Sequence, residues 1–217
     1  MNPDQLPLSQ SLALAHAGTR VRQVMAPFFD LDRRLSQFVS QAKEPMLAQM
    51  RIAWWRDQLG KKAEDRPAGD PVLAQLTAHW AGEEVALQCL ADGWEALLAE
   101  PPLPASAARD FATGRAACFA AIARLTGNQP HASAAYNAGQ RWAFADLATR
   151  VSDGDEKAFV LEQAEGAGGA PSRLPFALRS IAILDRLALR SLEQGGAELI
   201  RGRSEILLIT RLGLLGR

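Results

Sequence analysis

The sequence predicts an all-α protein with one domain. Alanine and leucine are the commonest residues and β-branched runs are scarce, which favours helices throughout. Hydrophobic residues make up 48% and charged residues 22% of the 217 positions, as in a globular protein with a sizeable core. Proline and glycine recur in clusters that cut the chain into helical lengths, without a fixed-period repeat. We expect a single helical bundle over residues 1–217, with short loops that make neighbouring helices antiparallel.

The proline and glycine clusters bound the predicted helices. They fall at about residues 7–25, 27–42, 45–59, 71–99, 106–126, 130–151, 174–194 and 197–213, with one further short helix between the turn at 152–155 and the segment GAGGAPS at 166–172. The firmest interruptions are the loop at 60–70 and the proline-rich stretch at 100–104. Each boundary follows from a residue that starts or stops a helix.

Two of these starts have a specific chemical signature. Pro45 stands at the first position of its helix, where the missing N–H costs nothing, and Asp70 precedes Pro71 as an N-cap. Inside the helix that follows, Gly82 and Gly93 are the positions where it can break or bend.

Two adjacent tryptophans occur in the segment EPMLAQMRIAWWRDQL, at residues 44–59. Neighbouring side chains on a helix point about 100° apart, so Trp54 and Trp55 cannot cover the same surface. We expect both to be largely buried on adjoining apolar stripes. One of them lines or supports a cavity, or both belong to an ordinary core, and full burial of either implies that its replacement by alanine costs ~3–5 kcal/mol. A tryptophan shown to a partner or ligand is the remaining interpretation.

Charge and cysteine content narrow the functional classes. Lys and Arg together number 24, as do Asp and Glu, so the balance offers no argument for a nucleic-acid partner. The N-terminal decapeptide lacks a signal-peptide pattern, and no run approaches the ~18 apolar residues that span a bilayer. We expect a cytoplasmic protein in which Cys89 and Cys118 are reduced, buried thiols.

Single motifs do not identify an active site. Asp30 and Asp32 are two residues apart and diverge by about 200° on a helix, so they cannot chelate one ion together. Asp30 is expected on a solvated face beside arginines, and Asp153 and Asp155 in a turn that they shape. The histidines show no metal-ligand spacing: His16, His79 and His131. From residue chemistry alone no catalytic, cofactor-binding or metal-binding residue is predicted.

The order of the segments carries more information than any single motif. LALAHAGTRVRQVMAPFFDLDRRLSQFV, EPMLAQMRIAWWRDQL and DPVLAQL, followed by NAGQRWAFADLATR and RLPFALRSIAILDRLALRSLEQGG, together resemble the squalene/phytoene synthase family. The resemblance covers most of the chain and is greatest to a divergent bacterial branch that also resembles a mitochondrial complex I assembly factor. It implies the isoprenoid synthase type of helical bundle, here shortened at the C-terminus, around a cavity that binds prenyl diphosphates.

The chemistry of that family needs two aspartate-rich motifs on facing helices. Aspartates four residues apart share a helical face and together hold the magnesium that grips diphosphate. When the first motif is laid onto FFDLDRRLSQFV, its basic residue becomes Asp32, its first two aspartates become Leu35 and Ser36, and its last becomes Val39. Leucine and valine cannot ligate magnesium.

The second motif departs from the family pattern in the same way. Laid onto GQRWAFADLATRVSDG, its asparagine becomes Asp146 and its two aspartates become Arg150 and Gly154. An arginine repels a metal ion. Because Asp32 and Arg150 both reverse the sign of the family residue, we hypothesise that they form an ion pair in place of the metal cluster, with Asp146 one helical turn before Arg150 and able to share it.

The resemblance therefore implies a pseudoenzyme without a cofactor. Such a protein binds an isoprenoid or other lipid in its bundle, or a protein partner as an assembly factor does, with peripheral membrane contact as a further expectation. The alternative is an active prenyltransferase that joins two prenyl diphosphates head to head with magnesium. A purely structural interaction module with a filled core is the third interpretation.

Overall fold

The computed structural model describes residues 5–166 and 170–215, and within them the regular structure is entirely helical. The α-helices are α1 (Leu8–Ala15), α2 (Thr19–Ser40), α3 (Pro45–Gly60), α4 (Pro71–His79), α5 (Glu84–Ala96), α6 (Ala105–Leu125), α7 (Ala132–Arg150), α8 (Gly154–Glu165), α9 (Arg179–Glu193) and α10 (Arg203–Leu215). Short 3-10 turns lie at 63–65, 129–131 and 176–178. The prediction of a single all-α unit is confirmed.

Helices α5, α6 and α7 form the centre of the bundle and lie unusually close together. α6 packs along both α5 and α7, and α7 packs in turn against α9. A Cβ atom on Gly139 of α7 would come within 2.7 Å of the Ala116 Cα on α6, and one on Gly114 within 2.9 Å of the Leu90 Cα on α5. Glycine at these two positions therefore lets the helix backbones touch.

Helix α2 closes over α6 and α7 through an aromatic core. Phe28 of α2 lies edge-on to Phe119 and Trp142, whose rings stack on each other with centroids 5.2 Å apart. Trp80, just after α4, is fully buried beside Phe28. Such ring pairs add roughly 0.5–1.5 kcal/mol each to the burial of their apolar surface.

The prediction that Pro27 separates two helices is wrong. Helix α2 runs continuously through Pro27, and the break lies earlier, where α1 ends at Ala15 and Gly18 caps α2. A proline inside a helix removes one backbone hydrogen bond. Here the two residues that follow Pro27 are fully buried phenylalanines, and the Val24 carbonyl in the same turn accepts a hydrogen bond from Trp80 Nε1 at 2.9 Å. Tertiary packing around Pro27 therefore overrides the tendency of proline to interrupt a helix.

The other predicted boundaries agree more closely with the structure. Pro45 is the first residue of α3, and Asp70 Oδ1 accepts hydrogen bonds from the Val72 and Leu73 amides at 2.9 and 3.0 Å. The helix predicted at 71–99 is divided at Gly82, which adopts a φ of +85° that few other residues tolerate.

The remaining predictions on local structure have mixed outcomes. Asp153 caps α8 by accepting hydrogen bonds from the amides of Asp155 and Glu156, and the glycine-rich segment at 166–172 lies partly outside the described residues. Cys89 and Cys118 are both free thiols, but only Cys118 is fully buried. Within 5–166 and 170–215, no helix combines the length and the apolar character needed to cross a membrane.

We predict that Gly114→Ala destabilises the protein by ~1–3 kcal/mol, because the added methyl group would collide with the backbone of Cys89 and Leu90 on α5. The matched control is Gly154→Ala at the start of α8, where nothing lies within 4 Å of the added Cβ. Urea unfolding followed by circular dichroism measures both variants. Equal stabilities of the two variants would show that α5 and α6 separate at little cost.

Candidate functional site

A buried arginine lies at the centre of the molecule. Arg115, midway along α6, has no exposed side-chain surface. Its Nε and Nη2 atoms donate to both carboxylate oxygens of Asp32 at 3.0 and 2.8 Å, and its Nη1 atom donates to Asp146 Oδ2 at 2.7 Å. One guanidinium therefore joins α2, α6 and α7 through charge-assisted hydrogen bonds, two of which form a bidentate pair.

Aromatic rings enclose this guanidinium. Its carbon lies 4.2 Å from the ring centroid of Trp142, 4.5 Å from that of Phe111 and 5.2 Å from that of Trp94. Trp94 also donates a hydrogen bond from Nε1 to Asp32 Oδ1 at 2.8 Å. The rings exclude water and stabilise the cation by cation–π contact, so the ion pairs act in a medium of low dielectric constant.

The cluster continues to the surface through Arg150, the last residue of α7. Arg150 Nε lies 2.9 Å and its Nη2 3.3 Å from the two carboxylate oxygens of Asp146, one helical turn earlier. Its Nη1 atom donates to Ser36 Oγ on α2 at 3.2 Å. About a third of the Arg150 side chain is exposed, and the neighbouring Asp146 carboxylate raises its pKa.

The hypothesis of an ion pair between Asp32 and Arg150 is wrong, because Asp32 pairs with Arg115 instead. The expected contact between Asp146 and Arg150 is confirmed, but Arg150 is not shared with Asp32. Sequence reasoning missed Arg115. The signal for it was present in ATGRAACFAAI, where a single charge interrupts an otherwise small and apolar helix, a pattern typical of a buried and paired side chain.

A cleft opens beside Arg150 and has two ends of different character. Its wider part has a volume of about 520 Å³ and its narrower part about 210 Å³, and both parts are lined by Ser36, Ser40 and Arg150. The side chains lining the wider part alone are mainly apolar: Val39, Trp94, Leu97, Leu103, Leu147 and Val151. Those lining the narrower part alone are mainly polar: Gln5, Gln10, Asp32, Arg33, Gln37 and Gln41. The residue types thus differ between the two parts, but each part exposes both polar and apolar surface, with slightly more apolar surface in both.

Gln10 gives the polar end an unmet hydrogen-bonding capacity. Its side chain is almost fully buried, and its Oε1 atom has no hydrogen-bond partner within 5–166 and 170–215. A buried acceptor without a partner costs roughly 1–3 kcal/mol. A ligand or water that donates a hydrogen bond in this part of the cleft would recover that free energy.

The structure brings together several positions that the family resemblance singled out. Ser36 and Val39 of α2 and Arg150 of α7 line the same cleft, although they are more than a hundred residues apart in sequence. Leu35 is fully buried, and Gly154 is absent from the lining residues. The two helices that would carry the family's aspartates therefore face each other here.

These residues do not fit a magnesium ion. The nearby carboxylates are Asp32 and Asp146, and guanidinium nitrogens of Arg115 and Arg150 lie 2.7–3.0 Å from their oxygens. The cationic arginines occupy the positions from which a metal ion would draw its ligands. Across residues 5–166 and 170–215, no three His, Cys, Asp or Glu side chains are grouped to hold a metal.

Two other sequence predictions concern single side chains. Asp30 is partly exposed with Arg33 3.8 Å away, as expected for a solvated face. Trp55 is 3% exposed but Trp54 is 42% exposed, so the prediction that both are largely buried is wrong for Trp54. Helix α3 packs on α5 and α2 through one side only, and Trp54 lies edge-on to Trp55 at its margin.

The two arginines beside Asp146 lower the pKa of its carboxyl group. Burial alone would raise the pKa of Asp146, but the guanidinium groups of Arg150 and Arg115 lower it from 3.8 to about 2. The folded protein therefore holds this carboxylate in its charged form more strongly than the unfolded chain does.

Comparison of the chain with known proteins gave no relative. No protein-family model, no curated protein and no solved structure matches it.

We predict that Asp32 and Arg115 are strongly coupled. Removal of Arg115 alone should destabilise the protein by ~3–5 kcal/mol, because it leaves two carboxylates near the core without this shared partner. In a double-mutant cycle with Asp32→Ala and Arg115→Ala, the double variant should lose much less than the sum of the two single losses. The matched cycle uses Asp32→Ala and Arg150→Ala, residues with no direct ion pair, and should show a smaller coupling. Additive losses of stability in the first cycle would show that Asp32 and Arg115 do not interact.

A second prediction concerns pH. Because the folded pKa of Asp146 is depressed, its contribution to stability is fully present above about pH 4 and is lost as the pH falls towards 2. Asp146→Asn should therefore lower the free energy of unfolding by roughly 2 kcal/mol at pH 7 and by almost nothing at pH 2. Urea unfolding of both proteins at a series of pH values tests this. A difference that stays constant over the range would mean that Asp146 is not held by its arginines.

Proposed function

We propose that this chain is a non-catalytic relative of the squalene/phytoene synthases, and that its cleft binds an isoprenoid or other lipid. The observation that carries the proposal is the cleft around Arg150, which exposes both polar and apolar surface, on the two helices where the resemblance places the family's diphosphate-binding motifs. A ligand with an apolar tail and a polar head suits such a mixed lining.

The apolar end suits a hydrocarbon chain. Its volume of about 520 Å³ lies in the range of small-molecule sites, and Val39, Leu147 and Val151 form apolar walls. Burial of a chain against such walls contributes roughly 0.8 kcal/mol for each methylene group removed from water. Affinity would therefore depend mainly on the tail.

The polar end suits a head group with little charge. Asp32 and Asp146 already neutralise Arg115 and Arg150, so this four-residue cluster has no net charge. A diphosphate would bring several negative charges to a site where the further charged lining residues are Arg33, which lies 3.8 Å from Asp30, and Glu156. A hydroxyl head can instead donate to the free acceptor of Gln10, and a hydroxyl or carbonyl head can bond to the side-chain hydroxyl of Ser36 or Ser40.

The same arrangement argues for loss of catalysis. In the family reaction, metal ions hold diphosphate and stabilise it as it leaves. Here Ser36, Val39 and Arg150 stand at the positions matched to the metal ligands, and the carboxylates close to them are engaged by arginines. Conversion of the old reaction site into a closed ion-pair network would leave the binding cleft as the functional part.

We predict that purified protein binds farnesol, and that Val39→Trp weakens this binding at least tenfold by filling the cleft. The matched control is Val85→Trp on the exposed side of α5, which should bind farnesol as the unmodified protein does. Equilibrium dialysis with labelled farnesol, together with mass spectrometry of lipid extracted from the purified protein, measures occupancy without interference from the added tryptophans.

Two results would contradict the proposal. The first is a failure of the binding test: either both valine variants bind farnesol equally well, or the unmodified protein neither binds farnesol nor carries extractable lipid. Either outcome would show that the cleft is not a lipid site. The second is magnesium-dependent release of diphosphate from farnesyl or geranylgeranyl diphosphate at ~1 per second or faster, which would establish the prenyltransferase instead.

A further inference from the structure

Helix α3 presents a row of large apolar side chains to solvent. Met46, Leu47, Met50 and Trp54 are 69%, 50%, 63% and 42% exposed. Spacings of three and four residues keep them on one side of the helix, opposite the buried residues such as Ile52. A contiguous exposed apolar patch of this kind marks a protein–protein, membrane or ligand-binding surface.

The row is nearly symmetrical about Met50. When two copies of a helix lie antiparallel across a two-fold axis at Met50, each residue faces the one equally far on the other side. Met46 then faces Trp54, and the segment that precedes α3, which carries Lys43, lies at the end of the copy's helix where Asp57 is exposed. Met50 faces its own copy. Sulfur against an aromatic ring and lysine against aspartate are both favourable pairs.

The two charged residues are available for such a pairing. Lys43 and Asp57 are both exposed, and neither has an ion-pair partner among residues 5–166 and 170–215. With a rise of 1.5 Å per residue, Asp57 lies about 10 Å along α3 from the proposed axis, and Lys43 precedes the first residue of the helix, Pro45. They would form part of a polar rim around the hydrophobic centre of the interface.

We propose that α3 is a homodimer interface, in which two copies of the chain pack antiparallel about Met50. The charge pattern favours a second copy over any other occupant, because the face is complementary to itself in the antiparallel orientation. A parallel arrangement would place Lys43 on Lys43 and Asp57 on Asp57, which is repulsive. The pattern therefore selects both the partner and the orientation.

The surface beside the row adds area to this interface. A groove of about 560 Å³ runs between α2 and α3, where Phe38 and Trp55 extend the apolar lining beyond the row itself. Stable interfaces bury roughly 800 Å² on each partner, and the four exposed side chains supply the apolar centre of such an area. The side chains of the partner helix can enter the groove, so the contact does not depend on a flat surface.

The first experiment measures the mass of the purified full chain in solution by sedimentation and light scattering over a range of concentrations. We expect a dimer at concentrations of about 10 μM and above, and a dissociation constant at least tenfold higher for Met50→Glu. Met50 is exposed, so circular dichroism and the melting temperature should show that this variant still folds. Leu207→Glu, at an equally exposed apolar position on α10, should leave the dimer intact.

The second experiment tests the antiparallel register. Lys43→Glu and Asp57→Lys should each weaken the dimer, whereas the double reversal should restore it. Met50→Cys should form a disulfide-linked dimer under mild oxidation, and Met46→Cys should form one only when mixed with Trp54→Cys, with the unmodified protein as the blank for Cys89 and Cys118. An unmodified chain that stays monomeric, a dimer that tolerates Met50→Glu, or a double reversal that does not recover would each overturn the proposal.

Discussion

The architecture depends on one buried guanidinium. Arg115 bonds to Asp32 on α2 and Asp146 on α7, so α2 meets the consecutive helices α6 and α7, which are remote from it in sequence, at a single charged group. A buried ion pair is costly to desolvate and is stabilising only where its hydrogen bonds are complete. Here the Trp94 indole bonds to Asp32, and aromatic rings cover the guanidinium. Few relative positions of the three helices satisfy all these contacts at once. The cluster therefore fixes how the helices are placed relative to one another as well as holding them together.

A second buried pair extends the same principle through α7. Arg141 donates to Asp185 of α9 at 2.7 Å and to Ser172 Oγ at 2.6 Å. The Ser172 amide in turn donates to Asp185 at 2.8 Å, which ties the segment before α9 to the core. Charged side chains of α7 thus bond to α6, α9 and α2. Few rotations of α7 about its own axis would keep all of these bonds.

Close helix packing and the charge cluster together produce the cleft. Gly114 and Gly139 allow α5, α6 and α7 to approach until their backbones touch, which leaves no space for a cavity between them. The cleft lies instead at the edge of this layer, where α2 meets the C-terminal end of α7 around Arg150. Because Arg150 is held by Asp146 and Ser36, the junction between the polar and apolar parts of the cleft has a defined position. A ligand would meet a surface that is already organised, which lowers the entropic cost of binding.

The sequence alone determined the helical class, most helix boundaries and the absence of a chelating aspartate pair, because these depend on local propensity, capping and residue identity. Pro45 and Asp70 mark their helix starts through interactions within a few residues, and the structure reproduces both. Tertiary structure decided the rest. Pro27 stays inside a helix because the residues around it are buried, and Trp54 is exposed because α3 packs through one side only. The partner of Asp32 is Arg115, eighty-three residues away, since an ion pair forms where packing brings charges together in a dry interior, and no spacing along the chain encodes that distance.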